Sequence, residues 1–563
     1  MSLSQLAEAL RETALVGMRE VSSPCLFLSA SDLHSRAVTR HAPCSGSCEE
    51  AWSAALSLLE EALGGKEPVI LRADWAVHQE RVSWARAQKA VRAERRNYFR
   101  WGISFGEDWS LPLTEQELNG HAVLYSGGDD PKGRFHEKNA EALCRRRFGR
   151  GLPSLRPEDG VLLFTVKGAF CEKGGPVRLL RERGFGAGLR EHEADASTLR
   201  ACIASGASWL ARNCGADGRF HYGFFPCFGR DIPTYNTLRH ISSTWAMLDA
   251  WRLSREKALL EAVERSLACL LRDFARTVRL PGGEEAVFFE DIESGELKLG
   301  SSGVALLLFS AYTKLVHPLR YVPLMKAVAR GILHMQNEEG GFVHVLNRDL
   351  SVKDPFRIVY YDGEAVFGLL RLYDLTRDAA YLEAAERAFG HFLRKDYWKN
   401  HDHWLSYSVN ELTRWKPEAR YFEFGIRNFE GYLPFVLKRE TAYPTLLELM
   451  MAADLLLRRM DAMPEMSGLL ARVDRAAFDE ALEHRAAHLL NSFFWPETAM
   501  FFKEPGRIAG SFFTRHHAFR TRIDDVEHFV SGLLACLEHR RGWTPNRLSV
   551  RLLKPAKAGK QGR

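Results

Sequence analysis

"EAVFGLLRLYDLTRDAAYLEAAERAFGHFLRK" (364–395) indicates two helices of different character in direct succession. The first is apolar nearly all round, as in a helix that is buried on every side. The second is amphipathic, with Leu382 and Phe389 on one face and Glu383 and Arg394 on another. Alternating inner and outer layers of a helical ring require one helix of each kind. The stretch therefore predicts a hairpin made of an inner helix and an outer helix.

The same hairpin recurs in the chain. "RLSREKALLEAVERSL" (252–267) and "DLTRDAAYLEAAERAF" (374–389) are identical at eight of sixteen positions, at an offset of 122 residues. Helical periodicity predicts about twelve helices after residue 195. The offset then spans two hairpins of about 61 residues each, and six such hairpins can close into a ring. We expect residues 195–541 to form an (α/α)6 toroid.

The first 194 residues have a different pattern. Short apolar runs that are typical of strands alternate with helix-like stretches such as "EEAWSAALSLLEEAL" (49–63). The runs are "CLFLSA" (25–30), "PVILRADW" (68–75), "HAVLYS" (121–126) and "GVLLFTV" (160–166). Residues 1–194 are therefore predicted to form a smaller mixed α/β or α+β domain of open function, and the protein as a whole is mostly α. The basic end of the chain, 542–563, is predicted to be disordered.

Composition restricts the class of protein. The chain has 563 residues, of which 46% are hydrophobic and 26% charged, and a net charge of +6. This charge is too small for a typical nucleic-acid-binding protein. No stretch has the apolar length of a membrane span or the layout of a signal peptide. The sequence predicts a cytoplasmic protein without a nucleic-acid or membrane partner, and leaves the oligomeric state open.

The ten cysteines are scattered, apart from Cys44 and Cys48, which follow His41 closely. A structural zinc site needs a second pair of ligands at similar spacing, and none accompanies this group. We expect reduced thiols, no metal and no cofactor.

Polar and aromatic residues collect immediately before the helices predicted to be inner. If alternate helices are inner, these segments lie together on one face of the toroid, where free N–H groups suit hydroxyl-rich or anionic ligands. The six segments are "PTYNTLRH" (233–240), "KLGSSG" (298–303), "YYDGEA" (360–365), "HDHWLSY" (401–407), "YPTLLE" (443–448) and "RIDDVEH" (522–528). This face is the predicted functional funnel.

The order of "QNEEGGF" (336–342), "YYDGEAVFGLLRLYDLT" (360–376) and "YLEAAERA" (381–388) resembles the six-hairpin glycosidase superfamily. It is also similar to N-acylglucosamine 2-epimerases, unsaturated uronyl hydrolases and the C-terminal domain of D-glucuronyl C5-epimerases. The resemblance covers roughly residues 195–541. It implies an (α/α)6 toroid that processes carbohydrate, with catalytic acids or histidines at the starts of inner helices.

Glycoside cleavage needs a protonated carboxyl and a second carboxylate. We expect Asp362 or Glu364 to provide one and Asp525 the other, because they belong to different hairpins. Helix capping is the alternative for Asp362, and interaction with the helix dipole is the alternative for Glu364. Asp524 and Glu527 form a D-x-x-E pattern that a capping box would also explain.

Epimerisation or lyase chemistry instead needs a base and an acid beside a sugar carbon. His240, His403, His528 or Tyr361 would serve, although a single histidine at a helix start is more often a hydrogen-bonding group. Asp402 is also a candidate cap. The predicted substrate-binding residues are Tyr235, Asn236, Arg239, His240, His344, Tyr361, Asp402, Trp404, Tyr443, Arg522 and Asp524.

The sequence thus favours an enzyme that hydrolyses a glycosidic bond of an acidic or hydroxyl-rich sugar in the toroid funnel. Its expected partner is a carbohydrate or another small polar substrate. Arg239 and Arg522 would suit an acidic sugar. Two alternatives remain open: a sugar epimerase or lyase that acts on a uronate, and a non-catalytic component of a biosynthetic machinery that binds a glycan or a peptide.

Overall fold

The structure is a computed structural model that describes residues 2–540 apart from residues 23, 107, 126 and 129. The predicted basic tail, 542–563, lies outside the described residues. Two parts follow one another along the chain: an N-terminal part built on a β-sheet and a larger helical part. None of the described helices combines the length and the hydrophobicity of a membrane span.

The N-terminal part contains a seven-stranded antiparallel sheet in the order β2-β1-β3-β6-β4-β5, with β7 paired to β6. The strands are β1 (Cys25–Ser31), β2 (Val38–Pro43), β3 (Ile70–Ser83), β4 (Gly102–Ser104), β5 (Pro112–Leu113), β6 (Gly160–Glu172) and β7 (Arg178–Leu179). The helices are α1 (Leu3–Arg19), α2 (Cys48–Leu63), α3 (Trp84–Ala93), α4 (Glu115–Gly120) and α5 (Glu137–Phe148).

Three of the four predicted strands and the helix at 49–63 are confirmed. The prediction for "HAVLYS" was wrong, because His121–Leu124 form a turn directly after α4. The apolar side chains of Val123 and Leu124 are buried in a core with α5 and β6, so their hydrophobicity reflects burial and not a strand. An apolar run of this length does not distinguish the two cases.

The helical part begins with α6. Its helices are α6 (Ala196–Asn213), α7 (Thr237–Ser254), α8 (Lys257–Cys269), α9 (Leu299–Leu315), α10 (Val322–Met335), α11 (Tyr360–Thr376), α12 (Ala379–Arg394), α13 (His403–Leu412), α14 (Ala419–Arg427), α15 (Leu433–Lys438), α16 (Thr445–Asp461), α17 (Ser467–Leu470), α18 (Arg475–Leu489), α19 (Pro496–Ala499), α20 (Pro505–Ile508) and α21 (Ile523–Arg540). Short strands join some of them, namely β8 (Gly223–Phe225), β9 (Arg230–Asp231), β10 (Ala275–Arg279), β11 (Glu285–Phe289), β12 (Leu297–Lys298), β13 (Val345–Leu346), β14 (Val352–Asp354) and β15 (Thr521–Arg522).

Six of these helices close into a ring. Each of α7, α9, α11, α13, α16 and α21 packs against the next, and α21 packs against α7. Outside them lie α6, α8, α10, α12, α14 and α18. The inner helices are the six whose starts were singled out from the sequence, and the predicted (α/α)6 toroid is confirmed. Helical periodicity predicts a single helix over residues 418–437. The structure instead divides this stretch into α14 and α15, with a 3-10 turn (Glu430–Tyr432) between them.

The sequence repeat corresponds to equivalent places in the ring. Arg255 ends α7 and Arg377 ends α11, 122 residues later, and both have left-handed backbone with φ near 58° and 59°. The guanidinium group of Arg255 lies over Trp251, and that of Arg377 lies over Tyr373. The repeat therefore encodes the same sharp turn from an inner helix to the following outer helix.

Candidate active site

The starts of the inner helices bring a histidine–carboxylate cluster together at the centre of the ring. His528 of α21 donates from Nδ1 to Oε2 of Glu448 on α16, at 2.8 Å. The hydroxyl of Tyr407 on α13 donates to the other oxygen of Glu448, at 3.1 Å. The second ring nitrogen of His528 lies 3.4 Å from the carboxyl group of Glu527. Three inner helices thus share one hydrogen-bonded cluster.

His403, the first residue of α13, faces this cluster. Its ring centroid lies 5.5 Å from that of His528, with the two rings nearly perpendicular. The Nδ1 atom is 3.2 Å from an oxygen of Asp402, whereas the buried Nε2 atom has no hydrogen-bond partner among the described residues. A proton on Nδ1 leaves the lone pair of Nε2 available to a ligand or to a proton.

The electrostatics of the cluster favour a charged His528. Burial opposes its charge, but the carboxyl groups of Glu527 and Glu448 outweigh burial and raise the pKa of His528 to about 10. Burial, with a further contribution from Glu448, raises the pKa of Glu527 to about 8 against the opposing effect of His528. His528 is therefore cationic at neutral pH, and the neighbouring Glu527 carboxyl holds its proton more tightly than an ordinary glutamate does.

Glu364, just after the first turn of α11, is a second acid at the ring centre. Its Oε2 atom is buried and has no hydrogen-bond partner in the described part of the chain. Burial, followed by repulsion from Asp402, raises the pKa of Glu364 well above its usual value. An uncharged carboxyl group of this kind can donate a proton.

Several other polar atoms at the same end of the ring are buried without a hydrogen-bond partner in the described residues. They are the hydroxyls of Ser243, Ser301 and Ser302 and both carboxyl oxygens of Glu527. Unsatisfied buried groups are costly and scarce in folded proteins, and a cluster of them is typical of a functional site.

Two predicted acids lie in a cluster of arginines at the start of α21. Asp525 accepts two hydrogen bonds from Arg520, at 2.9 and 3.0 Å, and the pKa of Asp525 is lowered because the arginines outweigh burial. Asp524 pairs with Arg239, at 2.9 Å, and with Arg522. The Asp525 carboxylate therefore remains ionised and does not act as a proton donor.

Other predicted residues point away from the ring centre. Asp362 accepts a hydrogen bond from Nε2 of His344 at 2.9 Å, and both side chains are fully buried. His240 is bound on one side by Tyr235, at 2.7 Å, and on the other by Ser266 of the outer helix α8. Asp362 with His344, and Tyr235 with His240 and Ser266, are thus engaged in hydrogen bonds that support the fold.

Two more predicted residues act as helix caps. The side chain of Asn236 accepts from the backbone N–H of Arg239, and that of Asp402 accepts from Trp404 and Leu405. Asp402 also contacts His403, so it has a second role as a positioning group.

The predicted aromatic residues occupy two environments. Trp404 is buried and stacks near Trp245, with 6.2 Å between ring centroids. Tyr361 is nearly buried beside Glu364, whereas Tyr443 is exposed at the mouth. Of these three residues Tyr443 is the exposed one, and the guanidinium of Arg439 lies over its ring, 5.4 Å from the centroid.

Sequence analysis missed Glu448 and Tyr407, and it interpreted Glu527 only as part of a cap. Glu448 and Tyr407 end the segments "YPTLLE" and "HDHWLSY", which were recognised as helix starts. Both face the ring because they lie one helical turn beyond the residues that first attract attention. Testing each start for an acid or hydroxyl three or four residues into the helix would have found them.

His403, Glu448 and His528 also form the one group in the described residues whose donor atoms, all within 4.8 Å of one another, could hold a metal ion. Two imidazoles and a carboxylate are an accepted ligand set for zinc. Cys44 and Cys48 have sulfur atoms 3.7 Å apart, but His41 instead bonds to the carbonyl of Trp109. These three residues do not assemble into a ligand cluster.

The fold and the cluster define an (α/α)6 toroid with a histidine–carboxylate centre. Similar solved structures include a D-mannose isomerase, which is 12% identical over 62% of this chain and 98% of its own, with a TM-score of 0.46. A cellobiose 2-epimerase from Bacillus thermoamylovorans B4167 is 10% identical over 61% and 99%, with a TM-score of 0.46. A GH76A alpha-1,6-mannanase from Salegentibacter sp. HEL1_6 is 12% identical over 60% and 100%, with a TM-score of 0.43.

No protein-family model matches the sequence, and no curated protein matches it significantly. Likeness at the level of these solved structures carries no information on substrate or reaction.

Proposed function

We propose that this protein is a carbohydrate-processing enzyme that moves a proton at a sugar carbon, as an epimerase or an aldose–ketose isomerase does. The observation that carries the proposal is the histidine pair. His403, with a free Nε2 atom, faces a charged His528, and the centroids of the two rings are 5.5 Å apart. One histidine suits the base and the other the acid.

The reaction needs a substrate with a carbonyl group. His403 removes the proton from the carbon next to that carbonyl, and His528 donates a proton to the oxygen on which negative charge develops. If the proton returns to the opposite face of the same carbon, the oxygen gives its proton back to His528 and the epimer forms. If the proton is added to the former carbonyl carbon instead, the hydroxyl on the neighbouring carbon gives its proton to His528, that carbon becomes the new carbonyl, and the isomer forms. Protons and electrons balance in both cases, so no external oxidant or reductant is required.

Carbohydrate is the proposed substrate class for two reasons. The sequence resembles toroid families that process sugars, and the unsatisfied serine and glutamate groups at this end of the inner helices suit a ligand rich in hydroxyls. Arg239 and Arg522 both form ion pairs with Asp524. Because their charge is already balanced, a neutral sugar is favoured over the uronate expected from the sequence. Free thiols such as Cys25, Cys144 and Cys171 support the proposed cytoplasmic location.

Solvent exchange tests the proposal. The protein is incubated in D2O with neutral aldoses, N-acetylhexosamines and hexuronates, and deuterium at the carbon next to the carbonyl is measured by NMR and mass spectrometry. We expect incorporation with at least one sugar, and a loss of about 100-fold or more in H403N and in H528N. H317N, which changes an exposed histidine, is the control. Exchange that survives in both variants contradicts the histidine roles.

Glycoside hydrolysis is the second candidate, and the buried Glu364 with its raised pKa favours it. That reaction needs a carboxyl group that is protonated at neutral pH to assist the leaving oxygen. The measurement is the release of reducing ends from oligosaccharides by wild type, E364Q and E527Q. Hydrolysis that falls about 100-fold in E364Q, without deuterium exchange at carbon, would replace the epimerase proposal.

Chelation separates proton transfer from metal chemistry at the same residues. Activity that is lost after EDTA treatment and restored by zinc would assign His403, Glu448 and His528 as ligands. Binding of a glycan without any turnover would instead support a non-catalytic role.

A further inference from the structure

A cavity of about 260 Å³ lies within the ring at the carboxyl ends of the inner helices. All six inner helices contribute to its wall, through residues of their middle and last turns. The histidine cluster lies at the other end of the same helices. A layer of aromatic rings separates the two places: Trp245, Phe367 and Tyr407 line the cavity, with 5.6 Å between the ring centroids of Phe367 and Tyr407.

The wall carries five basic and four acidic side chains. Most of them form ion pairs, which are Arg252 with Glu538, Lys314 with Asp374, and Arg371 and Arg414 with Glu411. Arg459 has no carboxylate partner among the described residues and donates to the carbonyl of Asn410 and the hydroxyl of Thr413. Asp249 of α7, which α21 separates from α16 in the ring, likewise lines the cavity and has neither an ion pair nor a hydrogen bond in the described part of the chain.

Two further features indicate a built site. The side-chain oxygen of Asn410, which is buried and lines the cavity beside Arg459, has no hydrogen-bond partner in the described residues. Burial lowers the pKa of Arg459 to about 10 and raises the pKa of Asp249. Both side chains are thus destabilised by lost solvation, and a ligand that bonds to them would relieve that cost.

We propose that this cavity is a second ligand site, which binds an organic anion of monosaccharide size. The anionic group bonds to the planar guanidinium of Arg459, and hydroxyls donate to Asp249 and to the free oxygen of Asn410. The carboxyl ends of helices disfavour an anion, but this effect falls off within the last turn. Charge-assisted hydrogen bonds to an arginine are about twice as strong as hydrogen bonds between neutral groups. The rings of Trp245 and Phe367 provide an apolar wall for the carbon skeleton.

The site is independent of the reaction proposed above, because it shares only Tyr407 with the histidine cluster. Binding and turnover can therefore be measured separately, and failure of one proposal does not imply failure of the other.

Isothermal titration calorimetry tests the site with glucose 6-phosphate, glucuronate, D-glucose and inorganic phosphate as probes. We expect one of the two sugar anions to bind and D-glucose to bind at least about tenfold more weakly. R459Q is expected to weaken the sugar anion about tenfold or more, R459K less, and D249N severalfold. R472Q, which changes an exposed arginine outside the ring, is the control.

Thermal unfolding of each variant identifies any loss of folding. If R459Q does not fold, the more conservative variants R459K and D249N provide the test. H403N should bind the sugar anion as tightly as wild type, because His403 belongs to the other end of the ring. Equal binding in R459Q, R459K and wild type overturns the proposal. So does loss of binding in H403N, or a failure of both sugar anions to bind wild type.

Discussion

The pair formed by His528 and Glu448 controls the charge of the proposed acid. Its pH dependence has a definite sign, because the pKa of His528 is raised from its ordinary 6.5 to about 10. The protonated histidine is bound more tightly in the folded state than in the unfolded chain. Its contribution to stability is therefore complete below about pH 6.5 and is lost as the pH rises through the folded pKa.

Replacing Glu448 with Gln should lower the pKa of His528 by one unit or more, because a neutral amide cannot balance the imidazolium charge. The free energy of unfolding near pH 7 should fall by about 1–3 kcal/mol. NMR titration of labelled histidine and urea unfolding measure the two effects. H317N is the control for general perturbation, and the titration of His528 should be unchanged in it. An unchanged His528 titration in E448Q would contradict the pairing.

Which acid faces the ring centre depends on helix phase, and this could not be predicted from the sequence. Asp362 and Glu364 are two residues apart, so they point to nearly opposite sides of α11. Glu364 is in phase with Phe367, Arg371 and Asp374, which line the ring cavity. Asp362 faces outward to His344. The segment was correctly assigned to the funnel, but only the packing of neighbouring helices determines which of its acids lies inside.

At the scale of whole elements, periodicity predicted the inner and outer helices well because burial on one face or on all faces is a local property of the sequence. The break between α14 and α15 was missed for a non-local reason. Asn428, just after α14, exchanges hydrogen bonds with the backbone of Asp402, 26 residues earlier. Its amide also donates to Ser406. Because Asp402 and Ser406 lie outside residues 418–437, the pattern of that stretch alone could not predict the break.

Glycines allow α9 and α11 to approach closely behind Glu364. A Cβ atom at Gly303 would lie 2.5 Å from the carbonyl oxygen of Glu364, and one at Gly368 would lie 2.6 Å from the carbonyl oxygen of Gly303. These neighbours are backbone atoms, which cannot rotate away. The glycines thus position the helix that carries Glu364.

Replacing Gly303 with Ala should force the two inner helices apart. We expect a loss of about 1–3 kcal/mol in the free energy of unfolding, measured with urea, together with reduced turnover. Gly390 provides the matched control, because it lies in the outer helix α12 and its nearest neighbour is the flexible end of Arg394 at 3.4 Å. G390A should be neutral or up to about 1 kcal/mol more stable, as alanine favours helix. Equal stability of G303A and wild type would contradict the close approach.

At the scale of the whole molecule, α19 joins the sheet to the toroid. Glu497 is completely buried and binds Arg190 through both carboxyl oxygens, with a closest distance of 2.7 Å. Its backbone carbonyl accepts from Arg72 of β3. Nearby, Met500 and Phe501 share an apolar cluster with Ile70, Phe170 and Leu180 of the sheet part. The predicted domain boundary at residue 194/195 therefore does not coincide with a gap in the packing.

Because of these contacts, we expect the sheet and the toroid to unfold in one transition despite their different architectures. Replacing Glu497 with Gln leaves Arg190 with only the longer contact to Glu172, at 3.2 Å, and should cost about 2–4 kcal/mol, somewhat less than the loss of an isolated buried pair. Calorimetry and circular dichroism in urea measure the number of transitions and the loss. E158Q, which removes an exposed contact with Arg156, should change stability by less than about 1 kcal/mol. Two separate transitions in wild type, with E497Q affecting neither, would instead establish the two parts as independently folding domains.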